Sequence, residues 1–255
     1  MIGPGTHLPK SVKARVFLRS LLLQASWNPK GMQNLGLVYA LYPALERIYP
    51  DPEKRREAVQ RHLTFFNTHP YVAAAIVGGV LYHEERIAAG EEDPRRVTEF
   101  KGALMGPLAA LGDGFFWLSL RPAAGALCAA LVPWLGAWAA VLFLVLYNVV
   151  HFTLRAQLFR MGLQLGDRLV EAVARARLPT RGARLRAVAA ASAGAAAAYL
   201  AFTFGAQQGG IGGWLLAGGC LALGALSYVL VARKVPTAVL TAMAALLAGC
   251  LGAWL

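Results

Sequence analysis

Residues 107–122 read PLAALGDGFFWLSLRP and place a single carboxylate, that of Asp113, in the middle of a long apolar stretch. Prolines and glycines lie close to it, and both residue types oppose a regular helix; they are Pro107, Gly112, Gly114 and Pro122. A charged carboxylate at bilayer depth costs roughly 2.5–3.5 kcal/mol, so it usually faces a cavity or a partner. Irregular backbone is tolerated at that depth under the same condition. The stretch therefore predicts a polar site inside a membrane protein, and the alternative is that Asp113 marks a helix end at the interface.

The composition of the whole chain also indicates a membrane protein. Of its 255 residues, 57% are hydrophobic and only 15% are charged, which is far more apolar than an ordinary soluble domain. The net charge of +12 is explained by basic residues between apolar runs, where the positive-inside rule places them. We therefore predict no nucleic-acid partner. The three cysteines lie in apolar segments and predict no disulfide framework.

Residues 1–66 are polar enough to lie outside the hydrocarbon. Apolar side chains recur at helical spacing from Ser11, a candidate N-cap; they are Ala14, Phe17, Leu18, Leu21 and Ala25. Basic side chains fall on the opposite face, which predicts an amphipathic helix on the membrane surface or against a partner. Further helices are predicted over 32–48 and 52–66, separated by prolines.

The middle of the chain alternates between apolar and charged segments. Residues 71–82 are apolar but shorter than the roughly 20 residues that a spanning helix needs, which predicts a re-entrant or broken element. Residues 83–101 are rich in charge, so we expect a solvated connection. Residues 123–150 contain Pro133 and Gly136 and predict one bent helix or two short ones.

The C-terminal part begins with a basic segment. Residues 155–186 carry eight arginines, and the positive-inside rule predicts a cytoplasmic loop. Three apolar spans follow at 187–206, 211–232 and 236–255. Their connections predict a cytoplasmic N-terminus and an external C-terminus.

These patterns predict an all-α fold: a polytopic integral membrane protein with broken or re-entrant helices and an N-terminal amphipathic region. We divide it into four parts. They are an interfacial region (1–66), a membrane core (67–152), a basic cytoplasmic segment (153–186) and three terminal membrane helices (187–255).

Two short motifs combine side-chain amides with aromatic rings. They read QASWNPKGMQN (24–34) and FFNTHP (65–70). An amide offers both a donor and an acceptor, and an aromatic ring offers an apolar face, which is how a sugar is typically held. The alternative for Asn67, which precedes Pro70, is that it simply ends a helix.

The histidines do not form a metal-binding pattern. Five are present, but His62 and His69 would lie about 10 Å apart on one helix face, too far for one ion. The chain also lacks a glycine-rich phosphate loop and a nucleophile elbow. We therefore predict no metal and no cofactor, and this pattern argues against an enzyme acting alone.

Three long motifs in a fixed order resemble the IID membrane subunit of the mannose/fructose/sorbose family of bacterial sugar phosphotransferase systems. They read LRSLLLQASWNPKGMQNLGLVYALYPAL (18–45), QRHLTFFNTHPYVAAAIVGGVL (60–81) and KGALMGPLAALGDGFFWLSLRP (101–122). The resemblance covers roughly residues 15–160. It continues more loosely to the end, where ARKVPTAVL (232–240) is similar to the family's basic turn before the last helix.

The resemblance implies a division of labour between chains in the bacterial inner membrane. A IID subunit pairs with a IIC subunit of related, inverted fold, the pairs assemble as trimers, and sugar binds within the membrane. Phosphate reaches the sugar from phosphoenolpyruvate through the soluble IIA and IIB proteins, so the IID chain is non-catalytic and carries no phosphohistidine.

The resemblance also implies a set of site residues. Those expected to line or shape the sugar site are Gln24, Trp27, Asn28, Gln33, Asn67 and Asp113. Those expected to give structural support are His69, Trp117 and Arg121. Among them, Arg121 is the expected charge partner of Asp113.

Two departures from the family pattern leave the function open. The family usually reads Gly-Asp-Pro where this chain has Gly112-Asp113-Gly114, and the segment near Gln207 is shorter than usual. The chain is then either a translocating subunit for a mannose-type hexose or amino sugar, or a non-transporting scaffold that anchors IIA and IIB. The basic segments would face IIB or anionic lipid.

Overall fold

The computed structural model of the protein describes residues 8–208 and, beyond them, residues 210, 211, 213–215, 218, 219, 222, 225, 226, 229 and 233. Residues 8–208 form helices joined by connections, which contain two isolated β-bridges. The α-helices are α1 (Lys10–Ser20), α2 (Asn34–Ile48), α3 (Pro52–His62), α4 (Ala73–Ala88), α5 (Arg95–Gly112), α6 (Arg121–Leu135), α7 (Trp138–Leu165), α8 (Leu169–Arg175) and α9 (Leu178–Gln208). A π-helix (Asp113–Leu120) joins α5 to α6, and a 3-10 turn (Gly166–Arg168) precedes α8. The all-α prediction is confirmed.

Two helical stretches within the described residues are long and apolar enough to cross a membrane: Arg95–Leu135 and Trp138–Gln207. Within their most apolar windows only 39% and 22% of the residues are buried inside the chain. The core helix of a soluble protein would be mostly covered by its own chain, so these faces fit lipid or a second subunit.

Helix α4 is the centre of the fold. Its residues from Ala73 to Leu81 are buried on every side, and it packs closely against α7. The contact depends on small residues: a Cβ added at Gly78 or at Gly162 would collide with the backbone of the facing helix. Such contacts let two helices approach closely without a side chain between them.

The interruption predicted around Asp113 takes the form of a change in helical winding. The π-helix has a wider turn than an α-helix, and such segments are frequent at functional sites. Within it, the Ser119 hydroxyl donates a hydrogen bond to the Gly114 carbonyl over 2.7 Å. The next apolar region forms two helices, because Gly136 adopts a positive φ of 52° that ends α6 just before α7 begins.

The N-terminal helices lie where the sequence predicts them, with shifted details. The buried residues of α1 are Val16 and Ser20, whereas Ala14 and Leu18 of the predicted apolar face are exposed, so this face is available to the membrane surface or to a partner. The predicted cap Ser11 is wrong, because α1 begins at Lys10 without a side-chain cap. Packing of Phe17 on Phe159, with ring centroids 5.5 Å apart, helps to set the observed face.

Helix α3 ends earlier than predicted, at His62. Its start is capped by Asp51, whose carboxylate accepts a hydrogen bond from the Glu53 backbone N–H over 3.0 Å, a standard N-cap interaction.

One prediction based on charge is wrong and a second is wrong in part. The charged stretch 83–101 is not a solvated connection, since α4 continues to Ala88 and the side chains of His83, Glu84 and Lys101 are buried. The arginine-rich stretch 155–186 is not a loop, because it is mostly helical and Arg155 is buried; its cytoplasmic position stays a prediction. In both stretches, partners distant in sequence compensate the charge.

The first predicted C-terminal span, 187–206, lies within α9. Most of the span 211–232 and all of the span 236–255 lie outside the described residues.

Candidate functional site

Gln33 joins the two amide-rich motifs. Its side chain is buried, and its carboxamide forms two hydrogen bonds with the backbone of Thr68. The Nε2 group donates to the Thr68 carbonyl over 2.7 Å, and Oε1 accepts from the Thr68 N–H over 3.1 Å. The Gln33 N–H also donates to the Phe66 carbonyl over 2.9 Å. Because both ends of the amide are engaged, Gln33 can shape a site but has little capacity left for a ligand.

The Asn28 side chain also forms its hydrogen bonds within its own loop. Its Oδ1 accepts from the Gly31 N–H over 2.7 Å, and its Nδ2 donates to Asn34 Oδ1 over 3.1 Å. These bonds are typical of an asparagine that stabilises a turn. The neighbouring Gln24 and Trp27 remain exposed, so these two side chains are free to meet a ligand or a partner.

Asn67 and Asp113 are both exposed, and no hydrogen bond or ion pair engages either side chain within the part of the chain that the structure describes. The residues beside them are in contact: a Cβ added at Gly112 would collide with the His69 side chain. The FFNTHP loop thus lies directly against the start of the π-helix. An amide and a carboxylate with unused hydrogen-bonding capacity are presented by two elements that touch.

Aromatic contacts hold this arrangement. The His69 ring stacks on Phe116 with centroids 5.1 Å apart, and it lies 5.2 Å from the Trp117 ring. Tyr71 stacks on His151 of α7 with centroids 3.7 Å apart. These contacts fix the loop against both the π-helix and α7. His69 and Trp117 therefore lie where a supporting role would place them.

Burial, with smaller contributions from His151 and Arg155, lowers the pKa of His69 to about 4. Its ring is consequently neutral near pH 7. A neutral imidazole has one donor nitrogen and one acceptor nitrogen, which suits contact with uncharged hydroxyl groups.

Arg121 does not pair with Asp113. Its guanidinium lies over the Trp117 ring, 5.6 Å from the centroid, in a cation–π contact. Both side chains are exposed. The expected ion pair is thus absent from the described residues, and Arg121 instead supports the tryptophan next to the site.

A second polar cluster surrounds Glu84, which is fully buried. Arg61 donates to both carboxylate oxygens, over 2.8 and 3.1 Å. His62 Nε2 lies 2.8 Å from Oε1, and the Tyr49 hydroxyl donates to Oε2 over 2.7 Å. The cluster connects α3 and the end of α2 to α4, and it sets where the FFNTHP loop begins.

The charges of this cluster explain how a carboxylate is tolerated there. Burial alone raises the pKa of Glu84, but His62 and Arg61 outweigh it and lower the pKa to about 2. Burial lowers the pKa of His62, and we assign it the neutral form, with Nε2–H donating to Glu84. The sequence shows only a charged stretch here, because the partners are more than twenty positions apart along the chain.

The described residues contain no group of three or more His, Cys, Asp or Glu side chains that could hold a metal ion. The residues that sequence reasoning missed are Tyr71 and His151, which complete the aromatic contacts of the site. His151 lies within α7.

Comparison with known proteins gives consistent relatives. Residues 7–199 match the family described as PTS system mannose/fructose/sorbose family IID component. The PTS system mannose-specific EIID component of Escherichia coli (strain K12) is 45% identical over 142 residues, which cover 55% of this chain and 50% of that protein. The Fructose permease IID component of Bacillus subtilis (strain 168) is 34% identical, over 70% of this chain and 66% of that protein. The match thus spans about half the length of the E. coli relative.

Two solved structures have the same fold. One is described as "CryoEM Structure of Mannose Transporter ManYZ and Microcin E492 (MceA) complex"; it is 37% identical, has a TM-score of 0.61, and covers 74% of this chain and 67% of that chain. The other is described as "Structure of membrane protein"; it is also 37% identical, has a TM-score of 0.67, and covers 75% of this chain and 71% of that chain.

Proposed function

The chain belongs to the mannose/fructose/sorbose family of PTS IID components, and from this we propose that it is the IID subunit of a phosphoenolpyruvate-dependent sugar permease. With a IIC subunit it forms the membrane pathway and the binding site for a mannose-type hexose or amino sugar. The observation that carries this proposal is the exposed pair Asn67 and Asp113, held by touching elements and free of partners within the described residues.

The chemistry of this pair suits a sugar. The Asn67 carboxamide donates to one hydroxyl and accepts from another, while the Asp113 carboxylate accepts from two neighbouring hydroxyls. Trp117, exposed beside Asp113, offers a flat apolar face to the sugar ring. The Gln33 hydrogen bonds and the contact between His69 and Gly112 hold these groups before the sugar arrives, which reduces the entropy lost on binding.

The exposed apolar faces of α6 and α7 are the surface for the IIC partner and for lipid. Large side chains are exposed along it in the single chain, and they are Val132, Trp134, Trp138, Leu144, Val149 and Phe152. A patch of this kind marks an interface or a membrane-facing surface. We place three such pairs in one assembly in the inner membrane, with the chain's N-terminus cytoplasmic and its C-terminus outside.

The basic segment 153–186 and α1 face the cytoplasm in this proposal. They contact the soluble IIB protein, which receives phosphate from IIA and transfers it to the sugar. The chain itself contributes binding and positioning, and it carries no phosphohistidine.

Sugar uptake tests the proposal. In cells that carry this chain with its IIC, IIA and IIB partners, we expect Asn67→Ala and Asp113→Asn each to reduce phosphoenolpyruvate-dependent mannose uptake by about tenfold or more, since each removes hydrogen bonds to the sugar. The control is Asn148→Ala, which changes a half-buried residue of α7 whose side-chain amide bonds only its own helix. Uptake equal to the parent in both site variants would overturn the assignment of these residues.

One observation favours a second candidate, a non-transporting subunit that anchors IIA and IIB. Gly114 stands where the family usually has proline, and the space around its Cβ position is empty, so the site lacks a rigid element. The same cells discriminate the two functions. A scaffold recruits labelled IIB to membranes but supports no uptake in the parent, whereas a permease supports uptake.

A further inference from the structure

Several buried polar atoms lie on His69 of the FFNTHP loop and on the side of α7 that Tyr71 contacts. Within the described residues, the atoms without a hydrogen-bond partner include His69 Nε2, Tyr147 Oη, both ring nitrogens of His151, and Arg155 Nε. His69, His151 and Arg155 are 2%, 7% and 3% exposed. More than 90% of each residue is therefore covered, and bulk water does not satisfy these atoms.

These atoms converge on one place. Tyr147, His151 and Arg155 are spaced four residues apart on α7, so they share one helix face. Tyr71 lies against this face: its ring stacks on His151, and its centroid is 6.4 Å from that of Tyr147. On its other side, Tyr71 is 5.0 Å from the His69 ring. The unused atoms of the loop and of α7 thus surround a single tyrosine.

The cluster lacks the charged ligands that would favour a bound ion. No ion pair joins any of its residues to a carboxylate in the described part of the chain, so a metal cation has no anionic ligand here. The Arg155 guanidinium donates to the carbonyl of Ser20, at the negative end of α1, where a positive charge is favourable.

The remaining atoms need a neutral group that both donates and accepts. A neutral imidazole has one nitrogen of each kind, and a tyrosine hydroxyl can do both. Native proteins leave few buried polar atoms unsatisfied, and such groups usually hold ordered water or a ligand. A hydroxyl oxygen meets this requirement.

We propose that His69, Tyr147 and His151 form an internal subsite that binds one neutral hydroxyl oxygen beneath Asn67 and Asp113. Two sources supply the same chemistry: an ordered water, or a hydroxyl of the bound sugar. The sugar source rests on the proposed function, whereas the water source does not. With either source, His151 lies deeper in the protein than the residues proposed to contact the sugar, and its ring makes the inner wall of the site polar.

A density map of the IIC–IID complex tests the subsite directly. We expect an oxygen peak within hydrogen-bond distance of His151 and Tyr147 in the sugar-free complex, or in the complex soaked with mannose. A peak in the free complex that persists with mannose identifies water. A peak that becomes continuous with mannose density identifies the sugar. No peak in either map, at a resolution that shows other buried waters, overturns the proposal.

Substitutions separate a binding role from a packing role. His151→Phe keeps a ring but removes both nitrogens, and Tyr147→Phe removes one oxygen. If the sugar is the source, each variant weakens mannose binding to the purified complex by about tenfold, and His151→Gln restores it to within about threefold. If water is the source, mannose affinity changes less and the peak disappears from the free variant. Asn148→Leu, at a half-buried position of the same helix, changes neither the mannose affinity nor the oxygen peak.

The outcomes distinguish this inference from the proposed function. A parent complex that fails to bind mannose but shows the oxygen peak contradicts the sugar assignment and supports a water-filled subsite. A parent complex that binds mannose while His151→Phe and Tyr147→Phe leave both the affinity and the peak unchanged contradicts the subsite and retains the permease.

Discussion

Glu84 shows how a single charged residue is stabilised inside this protein. Its carboxylate receives hydrogen bonds from Tyr49, Arg61 and His62, and these partners compensate the loss of water. The cluster contains neither Asn67 nor Asp113, and its hydrogen bonds join α3 and the end of α2 to α4, so its role is to hold these helices together. Removing one member of a buried, paired network leaves the others without compensation.

We therefore expect Glu84→Gln to lower the free energy of unfolding by about 3 kcal/mol. The measurement is thermal unfolding of the purified complex. The matched control is Glu53→Gln, which removes an exposed ion pair with Arg56 that contributes less than about 1 kcal/mol. Equal effects of the two substitutions would contradict a stabilising role for burial and pairing at Glu84.

The same residue predicts a pH dependence. The pKa of Glu84 is about 2 in the folded protein, against an ordinary value of 4.5, so folding favours its ionised form. Its contribution to stability is complete above about pH 4.5 and is lost as the pH falls towards 2. Unfolding profiles measured between pH 7 and pH 3 should be steeper for the parent than for Glu84→Gln. Parallel profiles would show that Glu84 does not carry this dependence.

Single residues also show which features of the candidate site the local sequence predicts and which it does not. Asn67 and Asp113 were predicted from side-chain chemistry and from the family motifs, and the structure leaves both exposed on touching elements. The ion pair between Arg121 and Asp113 is absent from the described residues, because proximity in sequence does not determine which rotamer a long side chain adopts. Glu84 was read as solvated, since Arg61 and His62 belong to a different helix.

At the scale of elements, the π-helix is the feature on which the proposed site depends. Sequence predicts an interruption there, because glycines and prolines surround Asp113. It does not predict that the interruption is a π-helix, since the contact between Gly112 and His69 joins elements more than forty residues apart. The boundaries of α2 and the break at Gly136 were predicted closely, because local breakers and caps determine them.

Two neighbouring glycines provide a matched test of this element. Gly112→Ala places a Cβ into the His69 side chain, whereas Gly114→Ala places one into open space. We expect Gly112→Ala to lower the free energy of unfolding by about 1–3 kcal/mol and to reduce mannose uptake by at least tenfold, because either His69 or the π-helix must move. Gly114→Ala should retain both properties.

Melting curves and uptake in the same cells provide the measurement. If Gly112→Ala behaves like Gly114→Ala in both assays, the contact between the loop and the π-helix does not position the site. If Gly114→Ala is the more harmful variant, freedom at that position matters more than the contact with His69.

At the scale of the whole molecule, the N-terminal and middle parts of the chain form one body. Arg155 of α7 donates to the carbonyl of Ser20, the last residue of α1, across 135 positions of sequence. Phe17 and Phe159 pack one turn away. The charge pattern alone assigned Arg155 to a cytoplasmic loop, because a buried arginine cannot be distinguished from a solvated one without its partner.

This anchor predicts how α1 responds to substitution. Arg155→Met keeps an extended apolar side chain but removes the charge-assisted hydrogen bond, which contributes about 1.5–3 kcal/mol. The remaining contacts of α1, which include the packing of Phe17 on Phe159 and the hydrogen bond from Arg19 to the Tyr39 carbonyl, then hold it less firmly, so it should open more often. We expect the backbone amides of residues 10–20 to exchange with deuterium at least tenfold faster, while those of α4 are unchanged.

Arg160→Met is the matched control, because Arg160 is exposed on the same helix and has the same charge and length. If α1 is held through Arg155, exchange in residues 10–20 accelerates in the first variant only. Acceleration in both would assign the effect to net charge near the membrane surface, and acceleration in neither would show that the other contacts of α1 hold it without Arg155. Since α1 also borders the loop that carries Trp27, a loosened α1 should weaken mannose uptake in parallel with the faster exchange.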